Sequence, residues 1–171
     1  MSSSSNNSAP LATSAPAASD VPGLENTPTA AAFRGLIRTF GLLRRVMEPY
    51  FAQHGISGAQ WGILRTLLRA QDEGESELRL VDLSARLFVR PPSITSAIGR
   101  LEKMDLVSLA SSPTDQRVKL VKLTPSGRKL LKKILAGHGE QMRRVLGPLS
   151  DREQTTLSEL LTRVSDHLEN S

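Results

Sequence analysis

The chain has 171 residues, no cysteine, and 22 Lys+Arg against 17 Asp+Glu, a net charge of +5. Without a thiol there is no disulfide, no cysteine nucleophile and no cysteine-based peroxide sensor, and no run approaches the roughly 18 apolar residues that would span a bilayer. The length suffices for one domain of about 140 residues with a buried core.

Residues 1–29 are rich in Ser, Ala, Pro and Asn and hold no Lys or Arg, with Asp20 and Glu25 as their charges. They have neither an apolar run nor a basic start. A disordered, flexible arm is expected there, not a secretory signal or a packed element. The remainder therefore carries 22 cations against 15 acids, or +7. Phe33, Leu36, Ile37, Phe40, Leu43, Met47, Tyr50 and Phe51 recur at helical spacing and predict a first long helix over about 30–54. Ser57-x-x-Gln60 is a capping box that opens a second helix. Asp72, Glu73, Glu75 and Glu77 gather around Gly74, where a polar loop between helix and strand explains them better than a cation site or catalytic carboxylates.

Leu80 to Phe88 reads as a short helix, and Val89-Arg90-Pro91 breaks it. From Pro91 the chain resumes a helix, since a proline pair is tolerated in a first turn. At about 100° per residue Ile94, Ala97, Ile98 and Leu101 form one buried stripe. Pro92, Ser96, Gly99 and Lys103 then point outward, with Ser93, Thr95 and Arg100 on the flanks. An outer surface of short hydroxyls and cations can enter a nucleic-acid groove.

A hairpin follows. Val107 to Ala110 and Val118 to Leu123 are strand-prone, with Val107 and Leu109 on one face and Val121 and Leu123 on another at a period of two. Ser111-Ser112-Pro113-Thr114-Asp115 supplies the turn, and Arg117, Lys119 and Lys122 charge its tip and edge. A cationic hairpin beside a polar helix suits a phosphate backbone. Between Arg79 and Lys129 ten cations face four acids, so most of the excess charge falls on this reader. Charge alone leaves ordinary solvated faces as an equal alternative.

Thr124-Pro125 then caps a helix running from Gly127 to Leu146, and Ser150-x-x-Glu153 is a second capping box before a last helix with Leu157, Leu160, Leu161, Val164 and Leu168 on one stripe. These stripes build either a single monomer core or a dimer interface. A small two-lobed chain has little else to bury them against, which favours the dimer.

Asp115-x-Arg117 with Val121-x-Leu123-Thr124 and Gly127 resembles the wing signature of the multiple-antibiotic-resistance regulator (MarR) family of winged-helix transcription factors. Ile56-Ser57-x-x-Gln60-Trp61-x-x-Leu64 resembles that family's second helix, and Ser93-x-Thr95 with Arg100-Leu101-Glu102 and Leu106-Val107 its recognition helix and exit. Together they span about 33–169. The resemblance implies a mainly α (α+β) fold, with a winged helix-turn-helix over about 57–124, a two-stranded β wing, and a dimerisation lobe from helices at about 30–54 and 125–169. It also implies a cytoplasmic homodimer on a pseudo-palindromic double-stranded operator. One helix of each subunit would lie in a major groove and Arg117 in or near a minor groove. DNA contacts are expected from Pro92, Ser93, Thr95, Ser96, Arg100, Lys103, Arg117 and Lys119, and Asp115 is expected to brace the wing by pairing with an arginine. Two residues depart from the family pattern: Asp105 stands where a glycine is usual, and Leu109 where a base is often found. Asp tolerates a left-handed cap, so the fold survives the first change, while the second removes one phosphate contact.

The resemblance further implies control by a small aromatic or phenolic ligand in a cleft between the lobes. Tyr50 and Trp61 could line it with Arg65 as carboxylate partner; the competing reading, which helical spacing favours, makes the aromatics core or interface residues and Arg65 a surface charge. His54, His138 and His167 lack the paired spacing of a metal site, so neither metal nor cofactor is expected and the histidines are read as exposed or capping. No nucleophile, base and orienter set points to an enzyme. A regulator is expected, most often a repressor; the alternative is a winged helix used for protein contacts, which a polar, basic face disfavours. Arg100 is the only side chain on the reading helix suited to bidentate guanine recognition. Phosphate contacts and minor-groove shape sensed by Arg117 are therefore expected to carry much of the affinity.

Overall fold

A computed structural model describes residues 27–171, so residues 1–26 of the expected arm lie outside the described part. The chain divides into two units, residues 1–41 and 42–171. The first contributes the N-terminal part of helix α1 (Pro28–Ala52). Its start follows from local chemistry. The Thr27 hydroxyl accepts a hydrogen bond from the Ala30 N–H (3.2 Å), Pro28 sits in the first turn, and three alanines follow. Phe33, Leu36, Ile37 and Phe40 are all exposed.

The second unit begins at Leu42. There α1 buries Met47, Tyr50 and Phe51 and leaves Leu42, Leu43 and Val46 exposed. Gly55 ends the helix at φ +77°, the left-handed conformation that returns the Ile56 N–H to the Phe51 carbonyl (3.3 Å). Helix α2 (Gly58–Asp72) opens on the predicted capping box, with Ser57 and Gln60 exchanging side-chain and backbone bonds. Strand β1 (Leu78–Arg79), α3 (Leu80–Arg86), α4 (Pro91–Lys103), β2 (Val107–Ser111), β3 (Lys119–Leu123), α5 (Pro125–Leu146) and α6 (Asp151–Glu169) follow. The fold is thus mainly helical with a small antiparallel sheet, as expected.

The two-stranded wing, β2 with β3, forms as expected, and β1 adds a third strand to give the order β1-β3-β2, because Leu78 and Arg79 pair with Val121 and Leu120. One detail differs from the sequence expectation: α3 stops at Arg86 and not at Phe88, whose φ of +52° cannot continue a right-handed helix. The β2–β3 register puts Val107 opposite Leu123 and Leu109 opposite Val121. The two predicted apolar faces are therefore one. It packs on Leu64, Leu67, Leu83, Ile98 and Leu101, with Leu131 and Ile134 of α5 closing the core. Helix α6 buries no residue at all: Leu160, Leu161, Val164 and Leu168 remain exposed, so the alternative in which that stripe builds a monomer core is not realised.

Candidate nucleic-acid interface

Helix α4 begins with Pro91 and Pro92 in its first turn and turns Ile94, Ala97, Ile98 and Leu101 into the core. That burial fixes the opposite face. Pro92, Ser93, Thr95, Ser96, Arg100 and Lys103 are all exposed on it, with Arg90 just ahead of the helix. The Thr95 hydroxyl donates to the Pro91 carbonyl (3.1 Å), which holds its rotamer and leaves its oxygen free to accept.

The wing is organised by its own polar groups. Ser112 N–H donates to the Val118 carbonyl (2.9 Å), and Val118 N–H to the Asp115 carbonyl (3.0 Å). The Asp115 carboxylate accepts from the Arg117 backbone N–H (2.9 Å). The expected ion pair between Asp115 and an arginine is therefore replaced by a local turn bond, which an aspartate two residues upstream makes without any distant partner. Arg117 is left with an exposed side chain on a fixed backbone. Lys119 donates to the Ser111 hydroxyl (2.7 Å) across the β ladder and is likewise exposed.

A set of bonds at the hairpin's foot joins wing to helix. Asp105 adopts φ +56°, filling the left-handed position expected of it. Its carbonyl accepts from the Thr124 hydroxyl (2.6 Å) and its carboxylate from the Ser126 hydroxyl (2.8 Å). The Glu102 carboxylate accepts from the Leu109 N–H (3.2 Å), tying α4 to β2. Leu109 packs on the core side of the sheet, opposite Val121. In the sequence Glu102 has a place in the recognition-helix motif but no role, and Ser126 is not singled out; polar residues whose partners lie 7 and 21 positions away leave no local pattern.

The cations from Arg79 to Lys122 divide into two groups. Among the described residues Arg79 pairs with Asp82 (2.6 Å), and Arg86 with Glu75 (2.5 Å) and Glu73 (3.8 Å), so the acidic run is partly spent on α3. Arg90, Arg100, Lys103, Arg117, Lys119 and Lys122 have no acidic partner among the described residues. Structural ion pairing thus accounts for the cations beside β1 and α3 and not for those of α4 and the wing.

The proposed ligand-lining residues sit elsewhere. Tyr50 is buried, and its hydroxyl donates to the Ile134 carbonyl, so burial raises its pKa and keeps it a donor. Its ring meets Phe51 (5.5 Å), His54 (5.3 Å) and His138 (6.0 Å). Trp61 packs on Phe51 (5.3 Å) and His138 (4.9 Å), and both Trp61 and Arg65 are half-buried. His54 and His138 are accordingly not exposed or capping side chains. Both belong to an aromatic cluster joining α1, α2 and α5, and the Nδ1 atom of each is buried without a hydrogen-bond partner among the described residues. Among the described residues no group of three or more potential ligands could hold a metal ion. No described helix is long and apolar enough to cross a membrane.

Burial, and then the charge of Arg65, lowers the His138 pKa below its ordinary 6.5. The folded state thus favours neutral imidazole, so the stability this residue contributes is complete above pH 6.5 and is lost as pH falls through the lowered value. A thermal melting series from pH 7.5 to 5.5 should show the melting temperature falling, and His138→Phe should flatten that fall. An equal fall in both proteins would assign it to other groups.

Residues 54–118 match the sequence profile of the MarR family. The transcriptional regulator PecS of Dickeya dadantii is 30% identical over 137 residues, which cover 80% of this chain and 81% of PecS. The chain belongs to the MarR family. It is a DNA-binding transcriptional regulator, and the relatives support that role over the protein-contact alternative; they are regulators, not enzymes. Two solved structures share the MarR fold. Mutant MarR from E. coli complexed with operator DNA superposes with a TM-score of 0.72 at 23% identity, covering 80% of this chain and 94% of that one. Bordetella bronchiseptica BpsR, whose DNA binding is regulated by 6-hydroxynicotinic acid, gives 0.70 at 24% identity, with 79% and 98% covered.

Proposed function

We propose that this MarR-family chain acts in the cytoplasm as a homodimeric repressor, placing α4 in successive major grooves of a pseudo-palindromic operator and Arg117 at a flanking minor groove. The observation that carries this reading is the set of exposed, acid-free cations on α4 and the wing, set against the internally paired Arg79 and Arg86. Pro92, Ser93, Thr95 and Ser96 approach base edges and sugars, Arg100 reads guanine, and Lys103 and Lys119 contact phosphate. The winged helix occupies about 57–124. Dimerisation uses the helices at about 30–54 and 125–169, because the apolar stripes of α1 and α6 are exposed in the single chain and a second copy would bury each. A small aromatic or phenolic ligand releases the operator. Trp61 and Arg65, one turn apart on α2 and half-buried beside His138, offer it a ring face and a cation, whereas Tyr50 lies behind them with its hydroxyl already bonded.

The test is a titration of purified protein against its own upstream intergenic DNA and a scrambled duplex, across a range of salt. Selective, salt-sensitive binding at two chains per site is the expected result, with the slope of log K on log salt near −0.9 per phosphate contact. Equal, weak binding to both duplexes at every salt concentration would sink the operator reading for that DNA.

A further inference from the structure

Between the end of α3 and the start of α4 the chain makes a turn that no glycine occupies. Phe88 takes φ +52° there, a conformation that disfavours every residue with a Cβ and suits glycine. The turn is nevertheless fixed. Phe88 N–H donates to the Ala85 carbonyl (3.1 Å), Val89 N–H to the Ser84 carbonyl (3.1 Å), and the hydroxyl of buried Ser84 to the Val89 carbonyl. What this strained backbone displays does little for the fold: Phe88 is 81% exposed, the most exposed large apolar side chain among the described residues. Val89, Arg90, Pro91, Pro92 and Ser93 follow it directly, all exposed. The ring therefore stands at the N-terminal end of the helix read above as the groove-entering one.

We infer that Phe88 is a DNA-contacting residue whose ring packs on an apolar surface of the operator beside the groove that α4 enters. The inference rests on the reading of α4 as the recognition helix. Two surfaces of that chemistry exist on a duplex, the thymine 5-methyl group and the edge of a deoxyribose. Continuity with the α4 face and Arg90 two residues on, which has no acidic partner among the described residues, favour a polyanion as the occupant over a protein partner. A residue held at backbone strain and given to solvent is the pattern of a functional position.

The probe is a duplex selected from a random library by the wild-type protein. Phe88→Gly gives the turn the residue its backbone suits, so its melting temperature should equal or exceed that of wild type. Its affinity for the selected duplex should fall about tenfold, the loss expected of one good base-edge contact, and Phe88→Leu should keep part of it. Replacing each thymine in turn by deoxyuridine separates the two sources. A position whose methyl matters to wild type and not to Phe88→Gly assigns the methyl group; no such position, with Phe88→Gly still weak, assigns the sugar. Wild-type affinity in Phe88→Gly would overturn the inference and hand the ring to a protein partner, and a lowered melting temperature would make it structural. If wild type itself selects no duplex, the reading of α4 fails first.

Discussion

Gly127→Ala is expected to lower the melting temperature by roughly 10 °C, corresponding to about 3 kcal/mol in a domain of this size. A Cβ on Gly127 would lie 2.1 Å from the Leu106 carbonyl oxygen and 3.0 Å from its carbon. The obstacle is backbone, so no rotamer change relieves it. The same oxygen accepts the Thr124 N–H (3.2 Å), and Thr124 in turn caps α5 by accepting from the Gly127 N–H (2.9 Å). Displacing Leu106 would therefore break the start of α5 as well as the approach to β2. Gly62→Ala is the control, since a Cβ there meets only a Leu87 methyl at 3.8 Å. In mid-helix that exchange should stabilise by about 0.5–1 kcal/mol. Thermal melts of the two variants should move in opposite directions; a Gly127→Ala protein within 0.5 kcal/mol of wild type would show, roughly, that the hairpin's foot yields freely.

Arg117→Ala should weaken operator binding by about 10- to 100-fold at physiological salt and leave the dimer intact. The side chain is exposed, has no acidic partner among the described residues, and rises from a turn whose backbone Asp115 fixes. Losing it removes a cation without disturbing the core. The slope of log K on log salt should become shallower by about one contact's worth. Lys119→Ala should cost less, because its ammonium already lies on the Ser111 hydroxyl. Asp115→Ala should fall between the two, keeping the guanidinium while freeing the N–H that holds it in place. Operator titrations with size-exclusion measurements decide this, and wild-type affinity in Arg117→Ala would remove the wing from the interface.

How far the sequence discloses this structure depends on the range of the interactions involved. Helix α4 is legible to the residue, because its four buried positions obey the helical period and two prolines mark its first turn. The β2–β3 pairing and both capping boxes are legible for the same reason: each is a short-range pattern. Strand β1 falls after the acidic loop where a strand is expected, but at two residues it is too short for alternation to give its register or its partner β3. Leu87 and Phe88 extend the apolar run of α3, so periodicity carries that helix past its end; a left-handed glycine would have announced the turn, and a phenylalanine hides it. The aromatic cluster is invisible for a different reason. Tyr50 and the Ile134 carbonyl are 84 residues apart, and nothing in the spacing of the histidines implies that Tyr50 touches both.

Helix α5 is held at two points along its length. Gly127 is pressed against the backbone at the foot of the wing, and seven residues on, about 10 Å along the axis, the Ile134 carbonyl takes the Tyr50 hydroxyl. A rod clamped twice cannot tilt at one clamp alone. The end of α1 that carries Tyr50 and the foot of the wing are therefore tied to the same helix. About one turn beyond Tyr50's clamp, His138 lays its ring beside Trp61 of α2, so the same rod also touches the helix that packs beneath the reading head.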